Sequence, residues 1–515
     1  MLNIAHTVCA PATSVGSGAI SVIRVSGPDA MAVADRVVRF RNGTCSTSPG
    51  YTLKFGTVEG VDDVLVSVFR APHSYTGEDS VEISCHASSY IVERLLQMLV
   101  EAGAVPAEPG EFTRRAFVNG RMDLAQAEAV ADLIASDSEA SHRVAMHQLK
   151  GGISSELQAL RAQLLDVTSL MELELDFSEE ELEFADRNQL ISLLDSALSH
   201  IRKLTESFRL GNAIRRGVPV AIVGAANTGK STLLNALLRE DRAIVSPVAG
   251  TTRDTVEEVF NIDGTAFRLI DTAGIRETFD EVESIGIDRT FEKLMMADCV
   301  IAVFDACAPV DGLLSEFREI ISRVNLRTQQ LVVALNKADL LEGFSEVSEA
   351  SFDACLDTVF SECSGTSAAA FQTSDERGFS PASDGQNKAI SRVNKIVTEF
   401  NKVVLLSDNK IDIIVLSAKQ GFNLEKLEKC LSSRQKARIS DSGTSVLVTN
   451  ARHFNALCAA SRALCLARSG IASRTPSDLV SQDLREALYH LGTITGEITT
   501  DEVLGNIFSK FCIGK

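Results

Sequence analysis

The chain has 515 residues, of which 45% are hydrophobic and 23% are charged, and this composition excludes a largely disordered or fibrous protein. Its 69 acidic and 50 basic side chains give a formal net charge of −19. A chain this acidic cannot hold nucleic acid or an anionic membrane by net charge alone, so binding to either requires a local basic patch or a partner. No apolar run is long enough to span a membrane, and the 11 cysteines lack zinc-ligand spacing, so we expect a cytoplasmic protein with reduced thiols.

The first part of the chain, residues 1–120, has the pattern of an α+β domain. Short apolar runs predict strands at 19–27, 62–69 and 80–86, and the segment around 88–102 has helical spacing. Turns rich in Pro, Gly and Ser separate these elements. We therefore expect a separate N-terminal domain in this part of the chain.

A helical pattern begins after Asp123 and continues to about residue 210. Breaks are predicted near Gly151–Gly152 and in the acidic segment 177–184. These features predict the first part of a helical domain at 121–215.

The end of the chain returns to helix over residues 444–511, with predicted breaks at Thr475–Pro476 and Gly492–Gly496. Between the two helical parts, short apolar strands alternate with helices, which is the pattern of a parallel α/β domain. We therefore expect an α/β domain at 216–435, inserted into a helical domain that resumes at 436–515.

Residues 343–390 interrupt this inserted domain with a polar segment rich in Ser, Ala, Gly and Asp. The composition predicts a surface insertion that is at least partly disordered. The fold class as a whole is multi-domain α/β, with an N-terminal α+β domain, a discontinuous helical domain and an inserted domain whose sheet is mostly parallel.

The segment GAANTGKST at 224–232 matches the phosphate-binding pattern GxxxxGK[ST], and it follows an apolar strand and opens a helix. Gly224 and Gly229 allow a tight turn in which successive backbone N–H groups face phosphates. Lys230 supplies a positive charge to the β- and γ-phosphates, and Ser231 offers a hydroxyl to Mg²⁺. The expected nucleotide contacts from this loop are Asn227, Thr228, Gly229, Lys230, Ser231 and Thr232.

The segment NKAD at 336–339 predicts guanine recognition, because it follows the phosphate loop in order and precedes SAK at 417–419. A carboxylate at Asp339 accepts hydrogen bonds from the N1–H and N2–H₂ edge of guanine, and adenine has neither donor. The Lys337 stem can cover the ring, and Asn336 can bridge loops. The expected base contacts are Asn336, Lys337, Asp339, Ser417, Ala418 and Lys419.

Two further segments complete a guanine-nucleotide domain. In DTAG at 271–274, Asp271 can hold Mg²⁺ through water and the Gly274 N–H can meet the γ-phosphate. In GTTRDT at 250–255, Thr252 is the expected second hydroxyl on Mg²⁺. The remaining expected contacts are Thr272 and Ala273.

The residue after DTAG is Ile275, where many GTPases have a water-positioning Gln. The chain must therefore orient the attacking water differently. The downstream loop holds four candidate carboxylates, among which chemistry alone does not choose: Glu277, Asp280, Glu281 and Glu283.

Further segments that carry a family resemblance are PGEFTRRAF and NGRMDLAQAEAVADLI at 109–134, LGTITGE at 491–497 and LGNIFSKFCIGK at 504–515. Together with the motifs above, they resemble the tRNA-modifying GTPase MnmE family, also called TrmE. The resemblance covers the chain apart from the insertion. It implies a folate-binding N-terminal domain that forms a homodimer, and a K⁺-dependent GTPase that binds GTP and GDP. It also implies a heterotetramer with the FAD-dependent partner MnmG. The two proteins together would modify C5 of the wobble uridine U34 of certain tRNAs, with a carbon from a tetrahydrofolate derivative (5-formyl or methylene form).

By position, the resemblance assigns K⁺ to Asn227 with oxygens of Ser246, Val248 and Thr251, and it assigns the water-orienting role to Glu283. Lys230 is the other expected catalytic group. The expected folate contacts are Arg24, Glu82, Arg121 and Lys515. Two departures from the family are Ala226, where Pro is usual, and Arg121, where Lys is frequent.

The basic clusters are candidates for tRNA contact or for solvated linkers: Arg114–Arg115, Arg215–Arg216 and Arg434–Lys436–Arg438. The ending CIGK superficially fits a prenylation box, but Lys515 and Gly514 argue against it, and Cys512 is more simply a free buried thiol. Two alternative functions stay open at this point. One is a ribosome-assembly or translation-type GTPase switch without transfer chemistry, and the other is a signalling GTPase whose N-terminal domain only dimerises.

Overall fold

The computed structural model describes residues 6–14, 18–176, 187–239, 258–270, 294, 297–326, 328–346, 384–404, 411–441, 446–499, 501–509, 511 and 514. The chain divides into two compact units. The first consists of Met1–Ala135, Arg143–Phe208 and Thr444–Lys515, and the second consists of Ser136–His142 and Arg209–Gly443. Among the described helices, none is long and apolar enough to cross a membrane.

The first unit contains a seven-stranded sheet in the order β3-β4-β5-β6-β2-β1-β7. Its pairs are antiparallel except β1 with β7. The predicted strands at 19–27, 62–69 and 80–86 are confirmed as β2, β5 and β6, and the predicted helix is confirmed as α2. The bounds are β1 Val8–Pro11, β2 Ile20–Ser26, β3 Arg39–Phe40, β4 Thr52–Val58, β5 Asp62–Phe69, β6 Ser80–His86, β7 Val105–Pro106, α1 Ala30–Val37, α2 Ser89–Glu101 and α3 Glu111–Val118.

Successive side chains along the central strands point to opposite faces of this sheet. Ile23, Val25, Val81 and Ile83 are buried in a core with Leu95 and Leu99 of α2. The opposite face of β2 and β6 carries Arg24 and Glu82, which pair across the strands. The sheet therefore presents a polar pair on the face opposite α1 and α2.

The rest of the first unit is helical. A break at Gly151, which has φ +86°, and a break at Thr475–Pro476 are confirmed, and segment 177–184 lies outside the described residues. The helices are α4 Leu124–Ile134, α5 Glu139–Leu149, α6 Gly152–Asp176, α7 Arg187–Arg216, α12 Ala451–Ala472, α13 Ser477–Thr495 and α14 Asp501–Phe508; α5 begins in the second unit and α7 ends in it.

The predicted break at Gly492–Gly496 is confirmed at Gly496, while α13 continues through Gly492 and ends at Thr495. A Cβ atom on Gly492 would lie 2.9 Å from Nη1 of Arg161 on α6. The glycine therefore allows a close approach between two helices rather than ending one. The turn is made by Gly496, whose φ of +87° suits a helix C-terminus.

The second unit contains a six-stranded sheet in the order β13-β12-β11-β8-β10-β9. Among the described strands of this sheet, only β9 and β10 pair in antiparallel fashion, so the expectation of a mostly parallel sheet is confirmed for them. The strands are β8 Val218–Val223, β9 Val259–Ile262, β10 Thr265–Leu269, β11 Cys299–Asp305, β12 Gln330–Asn336 and β13 Asp412–Val415. The helices are α8 Lys230–Arg239, α9 Val310–Arg323, α10 Asp384–Val404 and α11 Leu424–Asp441, with 3₁₀ turns at Ala338–Leu340 and Phe344–Glu346.

The polar segment at 343–390 differs from its prediction at both described ends. Its last residues belong to α10, where Ala389 is 1% exposed and packs in the same core as Val393. At the other end, the ring of Phe344 lies 5.0 Å from that of Phe422. Apolar packing therefore includes both ends of the segment, and residues 347–383 lie outside the described part of the chain.

Candidate nucleotide-binding site

The phosphate-binding loop lies between the end of β8 and the start of α8. Gly224 has φ +150°, and a Cβ atom there would lie 2.2 Å from the carbonyl oxygen of Val303. Gly229 has φ +96°, and its Cβ atom would lie 2.2 Å from Nδ2 of Asn336. Both positions require glycine, so the spacing of the two glycines in the motif reflects close backbone approach.

The Lys230 ammonium lies over the beginning of the loop. Its Nζ donates hydrogen bonds to the carbonyl oxygens of Gly224 at 2.8 Å and Ala225 at 2.7 Å. Burial lowers the pKa of Lys230, and the nearby charge of Glu316 opposes that shift. The Lys230 cation is thus held at the phosphate-binding loop, whose backbone amides would bind a phosphate group.

The other loop residues differ in exposure. Thr228 is buried and its Oγ1 donates to the Ala225 carbonyl at 3.1 Å. Asn227 is exposed with φ +63°, and the hydroxyl-bearing Ser231 and Thr232 are exposed in the first turn of α8. Three of the expected contacts are therefore accessible to a bound nucleotide or cation.

Asn336 joins the two ends of the site. It is the last residue of β12, and its Nδ2 donates to the Thr228 carbonyl at 2.9 Å. Its Oδ1 accepts from the Ala418 N–H at 3.0 Å. The buried amide of Asn336 thus links the phosphate loop to the SAK segment, and its contact with a base stays a prediction.

The base-recognition carboxylate is held in place by a second contact. Oδ1 of Asp339 accepts a hydrogen bond from Oγ of Ser417 at 2.6 Å. Ser417 Oγ also accepts from the Gln420 N–H at 3.3 Å. The exposed Lys419 follows Ala418 in the same turn. NKAD and SAK, separated by about 80 residues in sequence, thus form one loop cluster.

Asp305 belongs to this site although no motif indicated it. Its Oδ2 lies 2.7 Å from Nζ of Lys337, and its Oδ1 accepts from the Cys307 N–H at 2.9 Å. In the parallel register of β11 and β12, Asp305 is the partner of Asn336. A carboxylate at the end of the neighbouring strand is the signal that could have identified it.

The remaining expected nucleotide and cation contacts fall outside the described residues, and they stay predictions. They are Ser246, Val248, Thr251, Thr252, Asp271, Thr272, Ala273, Gly274 and Glu283.

A second candidate site lies in the first unit, where Arg24 and Glu82 meet across β2 and β6. Oε1 of Glu82 accepts from Nε of Arg24 at 2.9 Å and lies 2.8 Å from its Nη2. The guanidinium lies over the ring of Tyr75, 4.9 Å from its centroid, and 5.4 Å from that of Phe112. The two side chains are 18% and 28% exposed, so a ligand could still reach both.

The other two expected folate contacts are Arg121 and Lys515, and fewer of their contacts are described. Arg121 is exposed beside Gly77, where an added Cβ atom would lie 3.1 Å from its Cγ. Lys515 lies outside the described residues, but a Cβ atom on the preceding Gly514 would lie 1.9 Å from the carbonyl oxygen of Pro11 in β1. Gly514 thus lies against β1, the strand next to β2.

Arg115 is not a surface contact for nucleic acid, in contrast to the sequence interpretation. It is 2% exposed and forms ion pairs with Glu111 at 2.8 Å and Glu78 at 3.2 Å. Two acidic partners hold its charge inside the N-terminal domain, so only Arg114 of that cluster remains accessible. Arg216 is exposed, and the side chains of Arg434, Lys436 and Arg438 lie outside the described set.

Comparison with known proteins gives matches along the whole chain. Residues 7–121 match a family model described as GTP-binding protein TrmE N-terminus, and residues 124–512 match one described as MnmE helical domain. The curated tRNA modification GTPase MnmE of Parabacteroides distasonis is 45% identical over 520 residues, covering 99% of this chain and 100% of its own. The proteins of the same name from Bacteroides thetaiotaomicron and Flavobacterium johnsoniae are 45% and 43% identical, each covering 99% of both chains.

Among solved structures, a GTP-binding protein from the archaeon Sulfolobus solfataricus in complex with GDP is 17% identical, covering 54% of this chain and 67% of its own. Its TM-score of 0.24 is too low to support any conclusion about this chain.

Proposed function

Because the chain belongs to the MnmE family of tRNA modification GTPases, we propose that it uses GTP hydrolysis to help modify C5 of the wobble uridine U34 of certain tRNAs. The group added is of the aminomethyl type, such as carboxymethylaminomethyl, and the FAD-dependent MnmG is the partner. The observation that carries this proposal is identity of 45% along 99% of the chain to a curated tRNA modification GTPase. A cytoplasmic site of action follows from the tRNA substrate.

The nucleotide site supports GTP as the substrate. The loop from Gly224 to Lys230 has the backbone turn and the cation that phosphates require. Asp339 provides a fixed acceptor for the donor edge of guanine. For Mg²⁺, the exposed Ser231 hydroxyl fits, with Thr252 and a water on Asp271 as its partners in the proposal.

K⁺ activation is proposed at the loop residue Asn227. Its amide is exposed in a left-handed backbone conformation next to the phosphate loop amides, which fits a ligand for a hard monovalent cation. Oxygens of Ser246, Val248 and Thr251 would complete the set. A cation held there would neutralise charge that develops between the β- and γ-phosphates, and Glu283 would orient the attacking water.

Folate binding is proposed at the Arg24–Glu82 pair. The paired charges lie beside two aromatic rings on a partly exposed face, so a flat heterocycle would meet both an apolar surface and hydrogen-bonding groups. Glu82 suits the amine edge of a pterin, and Arg24 suits its carbonyl or the glutamate tail. Arg121 and Lys515 would bind the remaining carboxylates.

The homodimer is proposed to form through the same face of the N-terminal sheet. Leu53, Phe55 and Leu65 are 64%, 39% and 44% exposed on adjacent strands, and Phe55 and Leu65 are cross-strand partners. Leu65 is in turn paired with Ser84 of β6, two residues from Glu82 along the same face. An apolar patch continuous with a polar pair fits a second copy of this chain, and each dimer would bind MnmG as a heterotetramer.

The folate assignment predicts that wild-type protein binds 5-formyltetrahydrofolate and that Arg24→Ala weakens this binding at least tenfold. The reason is that loss of a charge-assisted hydrogen bond from a partly buried site costs about one order of magnitude or more in affinity. Isothermal titration calorimetry of the full-length protein gives the measurement.

The matched control is Arg94→Ala, which removes an exposed arginine of α2 in the same domain. It should bind the folate as the wild type does. Equally weak binding by wild type and Arg24→Ala would favour a GTPase whose N-terminal domain only dimerises.

A further inference from the structure

Glu316 lies at the phosphate loop although no sequence motif includes it. It is on α9, whose Leu313 and Phe317 are buried in the core beneath β11. The aromatic ring of Phe317 stacks on Phe400 with centroids 4.1 Å apart, which fixes the helix against α10. This packing places the Glu316 carboxylate next to Ala225, whose N–H donates a hydrogen bond to Oε1.

The first two residues of the loop are therefore held from two directions. Lys230 binds the carbonyl oxygens of Gly224 and Ala225, and Glu316 binds the amide of Ala225. Burial raises the pKa of Glu316, while the Ala225 hydrogen bond and the Lys230 charge oppose that shift. A half-buried carboxylate is costly without a partner, and here the loop amide provides one.

The two contacts have one consequence for nucleotide binding. A loop whose backbone is already fixed loses little conformational freedom when phosphates bind to it. Without the acceptor from α9, the Ala225 amide has no carboxylate partner and the start of the loop must be ordered by the nucleotide itself. The cost would appear in affinity rather than in the chemical step.

We propose that Glu316 is a positioning residue of the GTP site, which holds Gly224–Ala225 so that Lys230 and the following amides face the phosphates. It acts through the loop backbone and does not itself contact the nucleotide. The role depends on its ability to accept a hydrogen bond and not on its negative charge, which the phosphates would repel.

The experiment compares Glu316→Ala, which removes the acceptor, with Glu316→Gln, which keeps an acceptor and removes the charge. The control is Glu319→Ala, which removes an exposed carboxylate one turn further along α9 that pairs with Arg323. The affinity for a fluorescent GDP analogue and the KM and kcat for GTP are measured on the full-length protein.

For Glu316→Ala we expect a Kd for GDP and a KM for GTP raised about tenfold, the range for loss of a hydrogen bond to a charged group, with kcat at saturation within about twofold. Glu316→Gln should stay within about threefold of wild type, as should Glu319→Ala.

Three results would overturn the proposal. One is a Kd for Glu316→Ala equal to that of Glu319→Ala, and another is Glu316→Gln binding as weakly as Glu316→Ala. The third is a kcat that falls as much as KM rises, because that pattern belongs to general loss of the fold or to a group in the chemical step.

Discussion

At the guanine end of the site, the carboxylate of Asp339 is fixed by Ser417 Oγ at 2.6 Å, and Asn336 joins the loop on which Ser417 lies to the phosphate loop. A rigid acceptor discriminates strongly between bases, because a base without matching donors leaves the carboxylate unpaired. The preference for guanine over other bases should therefore depend on whether the side chain of residue 339 accepts or donates hydrogen bonds.

Replacing Asp339 with Asn tests this at the level of one side chain. The amide donates where the carboxylate accepted, so it fits the C2 carbonyl of xanthine and clashes with the N2 donor of guanine. We expect GTP affinity to fall about a hundredfold or more and XTP to become the preferred nucleotide. Turnover of GTP and XTP by Asp339→Asn is the measurement, with the exposed Asp311→Asn of α9 as the control. A variant that still prefers GTP would contradict the assignment.

Residues that belong to a sequence motif could be predicted from the sequence, and the two carboxylates that lie outside any motif could not. The glycines and Lys230 act within one turn, so their spacing is sufficient. Asp305 is 32 residues from Lys337, and Glu316 is 91 residues from Ala225. Only the packing of β11 and α9 against the sheet brings these carboxylates to the site.

Among the helices, a buried ion-pair cluster joins α4 to α12. Oε1 and Oε2 of Glu128 accept from Arg452 at 3.0 and 2.9 Å, and Oε2 lies 2.7 Å from Nε2 of His453. Arg452 also donates to the Ile494 carbonyl of α13 at 3.0 Å. The cluster thus connects a helix before the inserted domain to two helices after it, within the first unit.

This cluster predicts a defined pH dependence of stability. Burial acts to raise the pKa of Glu128, but His453 and Arg452 outweigh it and lower the pKa to about 2. A carboxyl with a depressed pKa in the folded state stabilises the fold above its unfolded value of about 4.3, and that stabilisation is lost as the pH falls toward 2. Acid should therefore weaken the contact between α4 and α12.

The test is urea denaturation of wild type and Glu128→Gln at neutral pH and near pH 3. At neutral pH the free energy of unfolding of Glu128→Gln should be lower than that of wild type by a few kcal/mol, because Arg452 loses its charged partner in a largely buried position. The difference should shrink in acid. Asp195→Asn, which breaks the exposed pair of Asp195 with Arg468, is the control and should denature as the wild type does. Equal midpoints for Glu128→Gln and wild type at neutral pH would contradict a stabilising role.

Helix positions and breaks were predictable from apolar periodicity and glycine positions, but the role of one glycine and the start of one helix were not. Within the predicted break at Gly492–Gly496, Gly496 ends the helix and Gly492 is a contact point between α6 and α13. The polar composition at 343–390 concealed the start of α10, because only Ala389 and the residues after it carry the apolar stripe. Apolar periodicity identifies a helix only over the residues that bury an apolar face, so it does not detect a polar first turn.

At the scale of the whole molecule, the second compact unit is inserted into the sequence of the first. The net charge of −19 disfavours tRNA binding by the chain as a whole, and Arg115 is buried and cannot contribute to it. Contact with tRNA would depend on the other basic residues of the predicted clusters and on the proposed partner.

Mass spectrometry of the nucleosides of tRNA is the most direct test of the proposed activity. Cells that lack the protein should lose the C5 modification of U34, wild-type protein should restore it, and Arg24→Ala should not. A GTPase that acts only in ribosome assembly or translation would leave these nucleosides unchanged. Unaltered C5-modified U34 in the absence of the protein would contradict the account.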